Sequence, residues 1–570
     1  MINYKITTVL ILISILILTS KYIGLHIFNI LNYEKKPFLS YFIQPLEMFT
    51  YKILKIDHEK EHTWKDYLKN SLVLLFVGTV LVFCILLLQP YLPLNSNNFQ
   101  SLQPSLALNI AISYCTNTDW QAYSPEKTIS AFSQMTALTV QNFISASMGI
   151  AISAALVRGI NRNSVSFLGN FWRDVIRVIY YLLLPLSIIA AVVLVSQGVP
   201  QTFNEFIKID TIEGTTQTIY TGPIASQSAI KVLGTNGGGY TNTDSAHPFE
   251  NPTSFSNFFQ IIFMLLIPTA QIYFYGKSVN NLKILSTILT TLAVLFFLSV
   301  YRANQYEERH PPLVTFLNLE TTQGNMEGKE VRFGPLGSCL YTVTSNLSSN
   351  GSTNSTIDSY MPGGTFIATA SILVGETLLG GCGTGIFSMM TISILSMYLI
   401  GLMSGKDPEY HGKKIDVFHI KMSISTLLIF ITLSLGLTSI AVLSDWGISA
   451  KLNSGPRGFT EILYTFLSTT ANNGSAMLTN SVNTPMYNMT TALAMLLHRV
   501  VIIILACVLS GHLSSKVASP ITNKKLQISG ITFSLLLLTL IFILCGISFT
   551  PALFLGPLLE GNELNIGILF

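Results

Sequence analysis

Long uninterrupted apolar runs decide more about this fold than any other feature of the sequence. Ser71 to Leu88 is one such run, without a single charged side chain, and comparable runs recur along the whole chain. In hydrocarbon a backbone must satisfy its own N–H and C=O groups, so runs of this length fold as spanning helices. Hydrophobic residues make up 49% of the chain and charged residues 11%, a balance that excludes a soluble protein of this length. The formal net charge of +4 is no sign of nucleic acid, because the positive residues gather in short loops between the runs. Six cysteines (Cys84, Cys115, Cys339, Cys382, Cys507, Cys545) are scattered without a CxxC spacing and read as small buried hydrophobes. The first run is long enough to span and has no clear small-residue cleavage site after it, so it is expected to be an uncleaved helix.

The expected fold is an all-α polytopic membrane protein with about ten spanning helices. They are placed at roughly 7–30, 68–90, 128–157, 175–197, 254–276, 282–300, 362–403, 419–443, 487–512 and 528–548. The seventh run is too long for one crossing and is interrupted at Gly380-Gly381-Cys382-Gly383-Thr384-Gly385. Irregular backbone at membrane depth is tolerated where it lines a cavity, so this reads as a broken helix facing a pore. Alternate short loops are basic: Lys35, Lys36, Lys52, Lys55, Lys60 and Lys65; Arg158, Arg162 and Arg173; Lys277 and Lys283; Lys406, Lys413 and Lys414; Lys516, Lys524 and Lys525. The positive-inside rule makes that side cytoplasmic and puts the amino terminus outside.

The opposite, longer loops hold four related stretches. They are Cys115-Thr116-Asn117-Thr118-Asp119-Trp120-Gln121, Gly234-Thr235-Asn236-Gly237-Gly238-Gly239, Ser348-Ser349-Asn350-Gly351-Ser352 and Ala471-Asn472-Asn473-Gly474-Ser475. One alone reads as a Gly-rich turn. All four follow a short apolar segment, at roughly 103–115, 224–234, 336–348 and 458–470, and precede a long one. The chain therefore divides into an extra amino-terminal helix and loop (1–67), four pseudo-repeats of helix, pore helix, filter loop and helix (68–157, 175–276, 282–403, 419–512), and a final helix (528–548). A ring of four re-entrant loops is the architecture of a potassium-channel-like filter, where backbone carbonyls replace an ion's hydration shell. Pore helices aiming their carboxyl ends at the axis add partial negative charge there.

The sequence resembles the potassium-binding and translocating subunit of the Kdp-type potassium-transporting ATPases, in the superfamily of potassium transporters. The resemblance covers nearly the whole chain. It rests on Trp64-Lys65-Asp66-Tyr67-Leu68, the first loop, Phe132-Ser133-Gln134-Met135 and Leu138-Thr139-Val140-Gln141-Asn142-Phe143. It continues through Gly234 to Gly239, His247-Pro248-Phe249-Glu250-Asn251-Pro252, Asn325-Met326-Glu327-Gly328-Lys329-Glu330 with Arg332-Phe333-Gly334, Pro408-Glu409-Tyr410, Gly412-Lys413-Lys414-Ile415-Asp416 and Asn472-Asn473-Gly474-Ser475.

The resemblance implies filter positions at Thr116, Asn117, Thr118; Thr235, Asn236, Gly237; Ser349, Asn350, Gly351; and Asn472, Asn473, Gly474, with Asp119 and Gln121 at the filter mouth. Two departures from the family pattern stand out. Asp119 replaces the usual Asn, and the fourth loop has one Asn fewer than expected, which leaves its register open. Glu376 and Arg499, opposite charges deep in predicted spans, are expected to pair as a gate below the filter or as a structural ion pair. The resemblance further implies potassium as substrate, no cofactor in this chain, and a bacterial inner (plasma) membrane setting. It also implies three partners: an ATP-hydrolysing P-type subunit, a single-span accessory subunit, and a very small lipid-like membrane subunit.

The chain has neither a Gly-x-x-x-x-Gly-Lys-Ser/Thr loop nor an Asp-Lys-Thr-Gly motif, so it is read as the non-catalytic part of such a pump. Two other readings stay open. One is a self-sufficient potassium channel or ion-coupled transporter of the same superfamily. The other is a polytopic membrane enzyme using His247, Glu250 and Glu327.

Overall fold

Polar backbone in a membrane leaves few options, and the chain takes the helical one. The computed structural model describes residues 2–311, 314, 317, 324–382, 385–518 and 529–565. Helix α1 (Lys5–Leu31) is followed by the amphipathic α2 (Ser40–Ile53). A first unit comprises α3 (Trp64–Tyr91), the short α4 (Pro104–Cys115) and α5 (Ala131–Asn161). A second comprises α6 (Phe171–Ser196), α7 (Ile224–Leu233) and α8 (Ser254–Ser278). The third has α9 (Leu282–Glu307), α10 (Gly334–Leu347) and a helix in two pieces, α11 (Pro362–Leu379) and α12 (Gly385–Ser404). The fourth has α13 (Val417–Val442), α14 (Gly455–Thr470) and α15 (Pro485–Ser515). A pair bent by 54°, α16 (Ile531–Leu544) and α17 (Ser548–Leu564), ends the described chain.

Local sequence explains where these helices begin. Proline stands in the first turn of α4, α10, α11, α14 and α15, where its missing N–H costs nothing. Capping boxes start α3 (Thr63 with Asp66) and α8 (Thr253 with Ser256).

Burial sorts the spans into two rings. In the most apolar window of each helix, 83% of α5 and 78% of α8 are buried, against 28% of both α3 and α13. The second helix of each unit therefore faces the centre and the first faces lipid. Small residues make the inner packing close: a Cβ on Gly159 of α5 would lie 2.6 Å from the Ser510 carbonyl of α15.

The long seventh run is interrupted, with α11 ending at Leu379 and α12 beginning at Gly385, and each piece is long and apolar enough to count as a span by itself. Beyond α12, the ammonium of Lys413 donates to the Gly159 and Leu513 carbonyls at the carboxyl ends of α5 and α15, at 3.0 and 2.6 Å. Lys413, in the connection after α12, thus lies at the same face as the ends of those helices. Gly383 and Thr384 of the expected break, and Lys524 and Lys525, lie outside the described residues.

Three features depart from the sequence reading. An antiparallel hairpin, β1 (Phe206–Asp210) and β2 (Thr216–Tyr220), stands in the long connection after α6. Its alternating Ile/Lys and Thr/Gln pattern is a strand pattern that the search for apolar runs passes over. Helix α2 occupies what reads as a basic loop, with Glu47 and Tyr51 turned inward and Phe42, Phe49 and Ile53 outward. Cys84 is exposed on the outer face of α3, whereas Cys115, Cys339, Cys382 and Cys507 are buried; all five are free thiols.

Candidate functional site

The short helices α4, α7, α10 and α14 end in the same way. Their C-terminal caps are Thr116, Gly234, Ser348 and Ala471. The next residue is left-handed in each case: Asn117 (φ 65°), Thr235 (47°), Ser349 (49°) and Asn472 (50°). The residue after that donates its N–H to the carbonyl five positions back: Thr118 to Ser113 (2.9 Å), Asn236 to Lys231 (3.0 Å), Asn350 to Ser345 (2.8 Å) and Asn473 to Ser468 (2.9 Å). This is the Schellman closure of a helix. It reverses the chain within one residue and leaves the following carbonyls free to point away from the helix.

A second left-handed residue follows: Asp119 (φ 51°), Gly237 (117°), Gly351 (85°) and Gly474 (101°). The backbone thus places four residues of each loop in common register. It aligns Asn472-Asn473-Gly474 with Thr235-Asn236-Gly237 and fixes the fourth loop. It also shifts the first loop by one. The counterparts of the other three triplets are Asn117, Thr118 and Asp119, and Thr116 corresponds to the helix caps. Asp119 occupies the glycine position rather than an open mouth. Asp tolerates the left-handed region better than most side chains, which lets it stand where the others are Gly.

The four loops meet. A Cβ on Gly237 would lie 2.6 Å from the Asn350 carbonyl oxygen, 3.0 Å from that of Thr118 and 3.5 Å from that of Asn473. A Cβ on Gly474 would lie against Thr118 O and 3.7 Å from Asn236 O. The carbonyls of Thr118, Asn236, Asn350 and Asn473, equivalent in register, therefore converge on one region from four directions.

Side chains lock the ring from behind. Asn117 Nδ2 donates to Thr235 O (2.7 Å). Asn350 Nδ2 donates to Lys231 O (2.9 Å). Ser349 Oγ donates to Ala471 O (3.2 Å), and Asn472 Nδ2 to Thr118 Oγ1 (2.9 Å). Every loop is thereby tied to both neighbours. Gln121 Nε2 donates to Gly239 O (2.9 Å) and Tyr114 OH (3.1 Å), joining the first and second loops just beyond the ring.

The electrostatics around the ring are negative. Four helix carboxyl ends point at it. The Asp119 carboxyl is fully buried, and burial, opposed by the Asn142 amide and the Lys231 charge, holds it well above the usual carboxylate range, so it adds no full negative charge to that of the helix ends. Behind the second loop, buried Lys231 contacts both Asp244 and Glu250. Burial pushes Asp244 up to about 6 despite Lys231. At Glu250, burial is outweighed by Lys231 and by the Thr241 N–H and hydroxyl, and the carboxyl is held below its ordinary value. The cluster leaves His247, Glu250 and Glu327 unsuited to act together. Glu250 is committed to Lys231 and Thr241, and His247 Nδ1 accepts from Phe249 N.

Below the ring, the broken helix reaches the loops. Cys382 N donates to Thr235 Oγ1 at 2.8 Å, and the Cβ of an alanine at Gly381 would lie 3.0 Å from Ser348 O. Glu376 sits in a π-turn, Gly375–Leu379, at the end of α11. Glu376 and Arg499 are both buried, but no contact within ion-pair distance joins them. His498 Nε2 comes within 3.5 Å of Glu376 Oε1 without a hydrogen bond, and Arg499 acts on Glu376 through its charge from further away. Sequence reasoning missed His498, because a histidine next to an arginine on a spanning helix gives no sign of which one turns toward the carboxylate. It also missed a cluster at the basic face. Asp416, His419 and His512 bring their ligand-type atoms within 4.8 Å of one another, with His419 Nε2 3.1 Å from His512 Nδ1.

An inner ring of broken or re-entrant segments inside an outer ring of lipid-facing helices defines a multi-pass helical membrane protein of the pore-forming type. The comparisons agree and are more specific. The family model described as "Potassium-transporting ATPase A subunit" matches residues 10–561, and the chain belongs to that family. It is 42% identical over 553 residues to the potassium-transporting ATPase potassium-binding subunit of Leptospira interrogans, covering 97% of each chain. It is 40% identical over 566 residues to the protein of the same name in Pseudomonas aeruginosa, covering 99% of this chain and 100% of that one. Among solved structures it resembles the potassium transporter TrkH of Vibrio parahaemolyticus, with a TM-score of 0.51 and 14% identity over 87% of this chain and 97% of that one. That likeness concerns the fold alone.

Proposed function

We propose that this chain selects potassium at the outer face of a bacterial inner membrane and passes it to an ATP-hydrolysing P-type partner for uptake. Four equivalent carbonyls converging at the carboxyl ends of four short helices carry the reading. Such an arrangement substitutes for the hydration shell of a cation without fixed charge at the ion itself. In this reading the filter is built from Asn117, Thr118 and Asp119; Thr235, Asn236 and Gly237; Ser349, Asn350 and Gly351; and Asn472, Asn473 and Gly474. Thr116 caps the first pore helix, and Gln121 shapes the mouth. The units at 68–157, 175–276, 282–403 and 419–512 are the four pore repeats. Glu376 and Arg499 form the gate below them.

The chain works in a complex with the P-type subunit, a single-span accessory subunit, and a very small lipid-like subunit. Its amino terminus lies outside, because the face holding Arg158, Arg162, Lys413 and Lys516 is then cytoplasmic. The test is mild detergent extraction, identification of the attached chains, and potassium uptake in proteoliposomes. Uptake that requires ATP and an attached P-type subunit supports the reading. Potassium flux through this chain alone, without ATP, would replace it with a self-sufficient channel.

A further inference from the structure

We infer that His498 is a positioning residue that ties the fourth loop of the ring to Glu376, so that the filter and the gate hold each other in place. The inference rests on the reading of those two sites given above.

Three fully or nearly buried side chains form one connected line. Asn472, the left-handed residue of the fourth loop, donates through Nδ2 to Thr118 Oγ1 (2.9 Å) and to Met495 O (3.2 Å). A backbone carbonyl only accepts, so Met495 fixes which end of the amide carries hydrogen. Asn472 Oδ1 must then face His498, whose Nδ1 lies 3.3 Å away. An amide oxygen cannot donate, so His498 Nδ1 carries the proton and donates to it. The other ring nitrogen, Nε2, lies 3.5 Å from Glu376 Oε1. The imidazole is 0% exposed and packs tilted against Phe430, with ring centroids 5.9 Å apart. Its two nitrogens therefore have separate duties. Nδ1 holds the loop, and Nε2, left with only its lone pair, is joined to the end of α11 when the buried Glu376 carboxyl carries its proton and donates its O–H across the 3.5 Å gap.

The consequence is mechanical. Asn472 carries a strained left-handed backbone with φ 50° and is tied to the first loop through Thr118. Glu376 lies in the irregular turn that precedes the helix break. A shift at either end is passed to the other through one rigid ring. Arg499, the next residue on α15, has Nε and Nη2 without hydrogen-bond partners and is free to follow Glu376.

Two substitutions separate the duties, because the Asn amide nitrogen mimics Nδ1 and the longer Gln amide reaches the place of Nε2. The variants are H498N, H498Q and H498L, in the complete complex with its ATP-hydrolysing partner in proteoliposomes. Two readouts are taken: the potassium concentration for half-maximal ATPase activity, and ATP-independent potassium leak. H498N is expected to keep the half-maximal concentration and to leak. H498Q is expected to raise that concentration about fivefold, the value of one buried hydrogen bond, without leaking. H498L should do both.

Like behaviour of H498N and H498Q, wild-type behaviour of all three, or failure of all three to assemble would overturn the coupling and leave a packing role. Gly237→Asp and Arg499→Met are measured beside them. If those two change affinity and leak while the His498 variants do not, only the coupling fails. If they change neither, the filter and gate reading fails and takes the coupling with it.

Discussion

Cys382 donates its backbone N–H to the hydroxyl of Thr235, 2.8 Å away and 147 residues earlier in the chain. The bond joins the turn of the broken helix to the left-handed residue of the second loop, with both partners buried. Thr235→Val keeps the shape and removes the acceptor. A buried N–H left unpaired costs about 1–3 kcal/mol, enough to loosen the turn. The expected result is a passive potassium leak in proteoliposomes of the complex and faster amide exchange around Gly381 and Cys382. Thr235→Ser should behave as wild type; equal leak from Ser and Val would remove the hydroxyl from the account.

Gly237→Asp is expected to weaken potassium selection by about tenfold or more, since a shift of about 1.4 kcal/mol is enough for that factor. The new Cβ would lie 2.6 Å from Asn350 O and 3.0 Å from Thr118 O, where three loops meet. Gly198→Asp is the matched control. Gly198 is also left-handed (φ 100° against 117°), but a Cβ there meets nothing within 4 Å. Backbone strain is therefore shared and the difference reports on the axis. Unchanged apparent affinity and sodium rejection in Gly237→Asp would take Gly237 out of the filter.

Much of this site was legible because its chemistry is periodic. Thr235-Asn236-Gly237, Ser349-Asn350-Gly351 and Asn472-Asn473-Gly474 share a composition that can be read without coordinates. The first loop was read one residue out of register, since no glycine marks the place of Asp119. Only the backbone angle at Asp119 and the bond from Thr118 to Ser113 reveal it. Arg499 does act on Glu376 through its charge, as the sequence suggests, but the direct neighbour His498 was not read. Hydropathy places Glu376, His498 and Arg499 at similar depth but does not say which side chain of α15 comes nearest the carboxyl. The hairpin at Phe206–Tyr220 and helix α2 were missed because membrane-scale apolar runs are a poor detector of short amphipathic elements.

Gln121→Arg is expected to raise the potassium concentration for half-maximal activity. Gln121 donates to Gly239 O and Tyr114 OH and is 8% exposed. A guanidinium cannot fit there without adding a fixed positive charge beside an entering cation. Gln121→Glu keeps the length and removes the donor, and should loosen the first and second loops without electrostatic exclusion. If Gln121→Arg matched wild type in affinity, Gln121 would have only a packing role against its neighbours.

Lys231→Met is expected to destabilise the chain by about 3–5 kcal/mol, the usual cost of breaking a buried pair from one side. Lys231 contacts both Asp244 and Glu250 and offsets one of their two charges, and all three are buried. Removing the two uncompensated charges with Asp244→Asn and Glu250→Gln in the same chain should recover most of the loss. The measurement is the thermal midpoint of the detergent-solubilised complex. A triple variant as unstable as Lys231→Met would show that hydrogen-bond geometry, rather than charge, holds the second loop.

Arg499→Met is expected to open an ATP-independent potassium leak. A cation at membrane depth costs about 3 kcal/mol on insertion scales, so its retention asks for a role. Arg499 is 1% exposed, with Nε and Nη2 lacking hydrogen-bond partners. It stands on α15 beside His498, which contacts both Asn472 of the ring and Glu376 of the broken helix. A positive charge so close beneath the ring repels a potassium ion leaving along the axis, and Met keeps the volume while removing that barrier. Arg499→Lys retains the charge and should stay tight. Flux is measured in proteoliposomes holding the assembled complex, with tracer potassium and no ATP. An assembled Arg499→Met complex as tight as wild type would reduce Arg499 to a structural residue and move the barrier to the broken helix itself.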